Sequence, residues 1–110
     1  MLVVTRYVVP ESEGDQFMSQ ARPALEAVIG CRGCVDARLG RAIDDPTVWV
    51  FQTIWESIGS YRRALSSPEV KTRLAPLMHR AVDEPSVYEP LLTTTADGVV
   101  QQHASRHAPA

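Results

Sequence analysis

Two segments of this chain, Leu2 to Val9 and Thr47 to Trp55, are apolar on both sides of an extended strand, and that pattern narrows the folds open to it. In the first, alternate residues form the sets Leu2/Val4/Arg6/Val8 and Val3/Thr5/Tyr7/Val9. In the second they form Val48/Val50/Gln52/Ile54 and Trp49/Phe51/Thr53/Trp55. Strands of this kind need cover on both faces of their sheet. A chain of 110 residues has material for one domain, which buries roughly two thirds of its unfolded surface. Its own helices can cover one face. A monomer displaying the other would expose an apolar patch larger than soluble monomers carry, and a second copy related by a two-fold axis is the simplest cover. The periodicity predicts a homodimer.

Between and after these strands the punctuation is regular. Ser12 precedes an acidic turn, and Phe17, Ala21, Leu25 and Val28 then recur at helical spacing until Gly30, with Pro23 marking a kink or break. Cys34 to Arg41 reads as the second strand, and Asp44-Asp45-Pro46-Thr47 as the turn into the third. Ser57 caps a helix through Ile58, Tyr61 and Leu65; Pro68 opens a short one carrying Val70, Leu74, Leu77 and Met78, which Pro76 limits. Val87 to Leu92 reads as a fourth strand, pushed toward an edge by Pro90. The order β-α-β-β-α-β is an α+β, ferredoxin-like split βαβ arrangement: a four-stranded antiparallel sheet with helices on one face. Residues 1–95 form that domain, and 96–110 a polar tail, flexible or packed on the partner subunit.

Charge and cysteine usage remove several functions. Eleven Lys and Arg stand against 13 Asp and Glu, a net charge of -2 that makes no field for collecting phosphates, so no nucleic acid is expected. No apolar run approaches about 18 residues, and Arg6 and Pro10 come too early for a signal segment, so no membrane is expected and the cytoplasm of a bacterium is the expected location. Cys31 and Cys34 form a C-R-G-C motif. It follows a helix and leads into a strand, the reverse of the arrangement that lowers a redox thiol's pKa, and His79, His103 and His107 have no zinc-finger spacing to it. Both thiols are expected to be structural, reduced and dispensable, with no metal and no cofactor.

The stretch F-Q-T-I-W-E-S-I-G-S-Y-R-R-A-L-S-S-P-E-V-K, Phe51 to Lys71, resembles the W-E-S, aromatic, short-second-helix signature of antibiotic-biosynthesis monooxygenase domains. The upstream I-G-C-R-G-C and D-D-P are similar to that family's helix-to-strand entry and hairpin, so the resemblance runs from Met1 to about Leu92. It implies a dimeric α/β barrel and a small aromatic or quinol-type substrate oxidised with O2. With no nucleotide loop, flavin fingerprint or metal cluster in the sequence, an electron-rich substrate such as an anthrone, hydroquinone or phenol would be its own reductant. The same family contains haem-degrading enzymes, but the haem-ligand position falls at Leu74, which offers no lone pair.

Carried over residue by residue, the resemblance to the aromatic polyketide oxygenases matches Trp55 and Tyr61, places an Arg near Arg73, and substitutes Phe51 for a polar Asn. Trp55, Tyr61, Arg73 and His79 are the candidate catalytic residues: Trp55 and Tyr61 as hydrogen-bond donors, Arg73 for the anion, His79 as base. Tyr7 and Phe51 are the candidate substrate contacts. Each has a plainer reading. Trp55 serves equally as core or interface packing, Tyr61 as an inward-turned helix residue, Arg73 as a solvated charge or a partner of Glu69, and His79 as a surface group. A dimer of the same fold that only binds a small molecule would have the same composition.

Overall fold

In the computed structural model, which describes residues 1–107, three long strands and a two-residue fourth form one antiparallel sheet. The strands are β1 (Leu2–Val8), β2 (Cys34–Arg41), β3 (Val48–Trp55) and β4 (Val87–Tyr88), in the spatial order β2-β3-β1-β4. The central pair runs in unbroken register from Leu2 opposite Ile54 to Val8 opposite Val48. That register puts Val3, Thr5 and Tyr7 on the same face as Phe51, Thr53 and Trp55. A bulge at Val35 shifts β2 by one residue, so that Cys34 faces Trp55 and Leu39 faces Phe51.

Three helices cover this face: α1 (Gly14–Ile29), α2 (Ile58–Ser66) and α3 (Pro68–Leu74). A 3₁₀ turn, Glu11–Glu13, leads into α1, which runs through Pro23 without interruption. Ser57 caps α2 through the Ser60 N–H, and Ser67 caps α3 through the Val70 N–H, with Pro68 in the first turn where its missing donor is harmless. Pro76 has no N–H to continue the α-helical ladder, and α3 gives way there to a 3₁₀ segment, Ala75–Arg80. Beneath the helices lies one apolar core, with Phe17 packed in tilted contact between Tyr7 and Trp49 at centroid distances of 5.3 Å. Leu77 and Ala24 are fully buried.

The turn through the cysteines has one residue that admits no side chain. Gly33 has φ +89°, and a Cβ there would run into the Ser60 side chain, so glycine joins α1 to β2 beneath the start of α2. Neither cysteine is in a disulfide; the Cys31 thiol donates to the Ala27 carbonyl and the Cys34 thiol to that of Asp36, and burial pushes both thiols up.

The C-terminal region departs from its expected form. Only Val87 and Tyr88 of the expected fourth strand pair with β1; the chain before them follows the β1 edge irregularly, through Val82 N–H to Arg6 C=O and Val4 N–H to Ser86 C=O. Pro85 and Pro90 bracket the paired residues and stop the ladder on either side. Beyond them β5 (Leu92–Thr94) and β6 (Val100–Gln102) form a separate hairpin. It turns at Gly98, φ +79°, and Asp97 accepts from the Thr95 hydroxyl and the Val99 N–H. Part of the segment expected as a polar tail is therefore a strand; residues 108–110 of that tail lie outside the described residues. The hairpin leaves Leu92, Val99 and Val100 exposed, and the radius of gyration is 15.3 Å, against about 13 Å for a compact domain of this length.

Candidate active site

A cavity of about 330 Å³ opens between the inner face of the sheet and the helices. Val3, Thr5 and Tyr7 of β1 and Phe51, Thr53 and Trp55 of β3 form its floor. Alternation accounts for this set, since each strand directs every second side chain to the helical side. Tyr61 and Ala64 of α2, with Val70 and Leu74 of α3, form the roof, and Val82, Glu84 and Ser86 line the rim. A space of this size, apolar with few polar groups, is the form in which proteins bind small organic molecules.

Its polar groups are mostly hydroxyls. Tyr7 is buried, and desolvation with a smaller contribution from Tyr61 pushes its pKa up to about 12. Burial also raises Tyr61, so both phenols are neutral donors across the physiological range. Among the described residues neither has a protein partner for its hydroxyl. The Trp55 and Tyr61 rings meet at 5.6 Å and 57°, a tilted pair closing one end of the space. The Trp55 indole N–H donates to Thr53 Oγ1 at 2.8 Å, in a buried hydrogen bond.

One carboxylate belongs to the lining residues. Glu84 is held by Arg6 in a two-pronged pair at 2.6 and 2.9 Å, and the hydrogen bond from Arg6 keeps its carboxyl below the usual range. Among the described residues no cluster of three His, Cys, Asp or Glu is placed to hold a metal ion, and no helix is long and apolar enough to cross a membrane.

Of the residues singled out in the sequence, Tyr7, Phe51, Trp55 and Tyr61 meet in this cavity. Arg73 and His79 do not line it. Arg73 is exposed on α3 and forms no ion pair among the described residues, Glu69 included. His79 is exposed in the 3₁₀ segment, where it borders a small depression with Glu13, Phe17 and Arg80. The indole donor expected from Trp55 is already engaged by Thr53. Sequence reasoning passed over Thr53 and Glu84. Thr53 was detectable, because it lies midway between Phe51 and Trp55 on one strand face; Glu84 sits in an irregular segment that carries no periodic signal.

Comparison with known proteins bears on the whole arrangement. Residues 1–74 match the antibiotic biosynthesis monooxygenase family, two thirds of the chain, including every floor and roof residue of the cavity named above. The chain belongs to that family. Among solved structures, a candidate antibiotic biosynthesis monooxygenase from Nitrosomonas europaea is similar over 83% of this chain and 99% of its own, with TM-score 0.65 and 20% identity. A conserved protein from Methanosarcina mazei Go1 is similar over 78% and 84%, with TM-score 0.67 and 20% identity. A third, a candidate family member from Deinococcus radiodurans, covers 100% of this chain and 97% of its own at TM-score 0.65 and 12% identity. At such identities the likeness establishes the fold, the α+β ferredoxin-like arrangement of antibiotic biosynthesis monooxygenase domains. No curated protein matches the sequence.

Proposed function

We propose that this antibiotic biosynthesis monooxygenase domain is a cofactor-independent, cytoplasmic oxygenase that acts as a homodimer on an electron-rich aromatic or quinol-type molecule. The observation that carries the reading is the apolar cavity lined by Tyr7, Phe51, Trp55 and Tyr61, in which neither tyrosine hydroxyl has a partner among the described residues. For an anthrone-like substrate, a ring CH₂ loses a proton, the resulting carbanion reduces and captures O2 as a hydroperoxide, and loss of water leaves a carbonyl. One oxygen atom enters the product and the other leaves as water. The neutral phenols of Tyr7 and Tyr61 hold the developing oxyanion in a space that excludes water. The proton taken from the ring carbon returns to the peroxide before water is lost; Glu84, whose carboxylate is held by Arg6, and His79, outside the cavity, are not given the role of base.

The second copy covers the sheet face opposite the helices, where Leu2, Val4, Val48, Val50 and Ile54 remain partly accessible and Val8 is exposed. Oxygen uptake with a panel of anthrones and hydroquinones, without added metal or flavin, tests the activity. Consumption matched to quinone formation is expected. Saturable binding of the panel with no oxygen uptake would make the domain a non-catalytic binding module, and no binding at all would overturn the reading of the cavity.

A further inference from the structure

We propose that Thr53 is the residue that selects the ligand, donating its hydroxyl proton to a carbonyl oxygen on a planar aromatic molecule, and that Trp55 acts through Thr53 as a positioning residue. The inference rests on the reading of the cavity as the binding site and names the feature of the ligand that the site recognises.

The argument begins with the direction of one hydrogen bond. An indole nitrogen is only a donor, so in the Trp55 Nε1 to Thr53 Oγ1 bond the threonine oxygen must be the acceptor. The hydroxyl proton of Thr53 is then available for another partner, and among the described residues no protein group accepts it. Thr53 is 5% exposed and lines the cavity, so the acceptor reachable from that position is one that occupies the cavity. The donor is also held still. A β-branched side chain on a strand has few χ1 options, and the bond from a tryptophan that is itself 3% exposed restricts it further. A donor ordered before the ligand arrives loses little freedom when it binds.

The surroundings define the ligand. Phe51 and Trp55 flank Thr53 on the strand and present apolar rings to a flat molecule, while Tyr7 and Tyr61 add two neutral donors. The lining residues hold no Lys or Arg to attract an anion, and their carboxylate is occupied by Arg6. A neutral aromatic ketone fits this set. A hydrocarbon of the same outline would fill the space and leave the ordered hydroxyl without a partner, which is how a polar site rejects an analogue lacking the matching group.

Equilibrium dialysis of 9-fluorenone against fluorene, two planar molecules that differ by the carbonyl, tests the proposal on the full chain. Wild type is expected to prefer fluorenone by about tenfold, the worth of one neutral hydrogen bond. Thr53→Val should abolish the preference and Thr53→Ser restore it. The infrared carbonyl stretch of bound fluorenone should be lowered in wild type and Thr53→Ser and return toward its unbonded value in Thr53→Val. A role limited to anchoring Trp55 would leave both the preference and the stretch unchanged. Should Thr53→Val fail to fold, Thr53→Cys, similar in volume and a weak donor, takes its place with the same expectation. A preference and a lowered stretch that survive removal of the hydroxyl would overturn the inference alone; failure of wild type to bind either molecule would overturn the reading of the cavity and the inference with it.

Discussion

On the inner face of the sheet Val3, Tyr7, Trp49, Phe51 and Trp55 are each at most 6% exposed, whereas on the outer face Val8 is 51% exposed and Val4, Val50 and Ile54 are only partly covered. Both faces draw on the same two strands and both are rich in β-branched and aromatic groups. They differ in what accompanies the apolar residues. The inner face carries Thr5, Tyr7 and Thr53, whose hydroxyls meet a cavity, and the outer face carries Arg6, Gln52, Arg38 and Asp36 around an aliphatic centre. On the proposed reading one face encloses a small molecule and the other meets a second copy of the chain. Hydrophobic content alone does not separate them; the placement of a few hydroxyls and charges does.

The sharpest way to break this comparison is to charge the outer face. Val50→Asp should weaken self-association by more than about 100-fold, since burying an unpaired carboxylate costs several kcal/mol, while the monomer keeps its fold. Sedimentation velocity at micromolar protein checks it, and an unchanged mass would remove the distinction drawn for that face. On the inner side Leu77→Ala should destabilise by about 2–5 kcal/mol in urea melts, because Leu77 is 0% exposed and its loss leaves a cavity. Val8→Ala, on the exposed outer edge, should stay under about 1 kcal/mol by the same measurement.

Smaller effects sharpen the contrast within the cavity. Tyr61→Phe should lower turnover by about 10²-fold, the effect of deleting one donor to a developing oxyanion, and move the thermal midpoint little because the ring remains. Tyr7 gives a pH signature. Its folded pKa, raised to about 12, exceeds the ordinary tyrosine value, so the unfolded chain loses this proton first. The corresponding stability is fully present below about pH 10 and falls, by on the order of 2 kcal/mol, as pH rises toward 12. Urea melts across that window should show the slope in wild type and a shallower one in Tyr7→Phe, where Tyr61, also raised by burial, still contributes. At the small end, the Cys31→Ser, Cys34→Ser double variant should shift stability by only about 1 kcal/mol, since both thiols are only partly buried and neither is bonded to the other.

Much of the fold was legible because its signals are local. β2 begins and ends at the residues that alternation and turn chemistry predict, β1 and β3 differ by one residue, and the Ser57 cap and Pro68 opening lie where their side-chain chemistry requires. The C-terminal region was less legible. Pro90 falls inside the expected fourth strand and Pro85 just before it, and β5 and β6 are too short and too exposed for an apolar period to register. For the site, resemblance and alternation marked four residues that the structure brings to one cavity. The same reasoning had no means of placing Arg73 and His79, whose direction depends on how a short helix and a 3₁₀ segment are turned.

Alternation and turn chemistry along the chain were enough for the two doubly apolar strands, the caps that open α2 and α3, and the antiparallel sheet. All of these follow from spacing along the chain, which steric and hydrogen-bonding rules convert directly into local geometry. Which face the helices occupy, the donation of the Trp55 indole proton to Thr53, and the pairing of Arg6 with Glu84 across 78 positions were set by tertiary packing. Contacts of that kind depend on where distant segments meet. The packing that unites Arg6 and Glu84 leaves no period or motif in either neighbourhood.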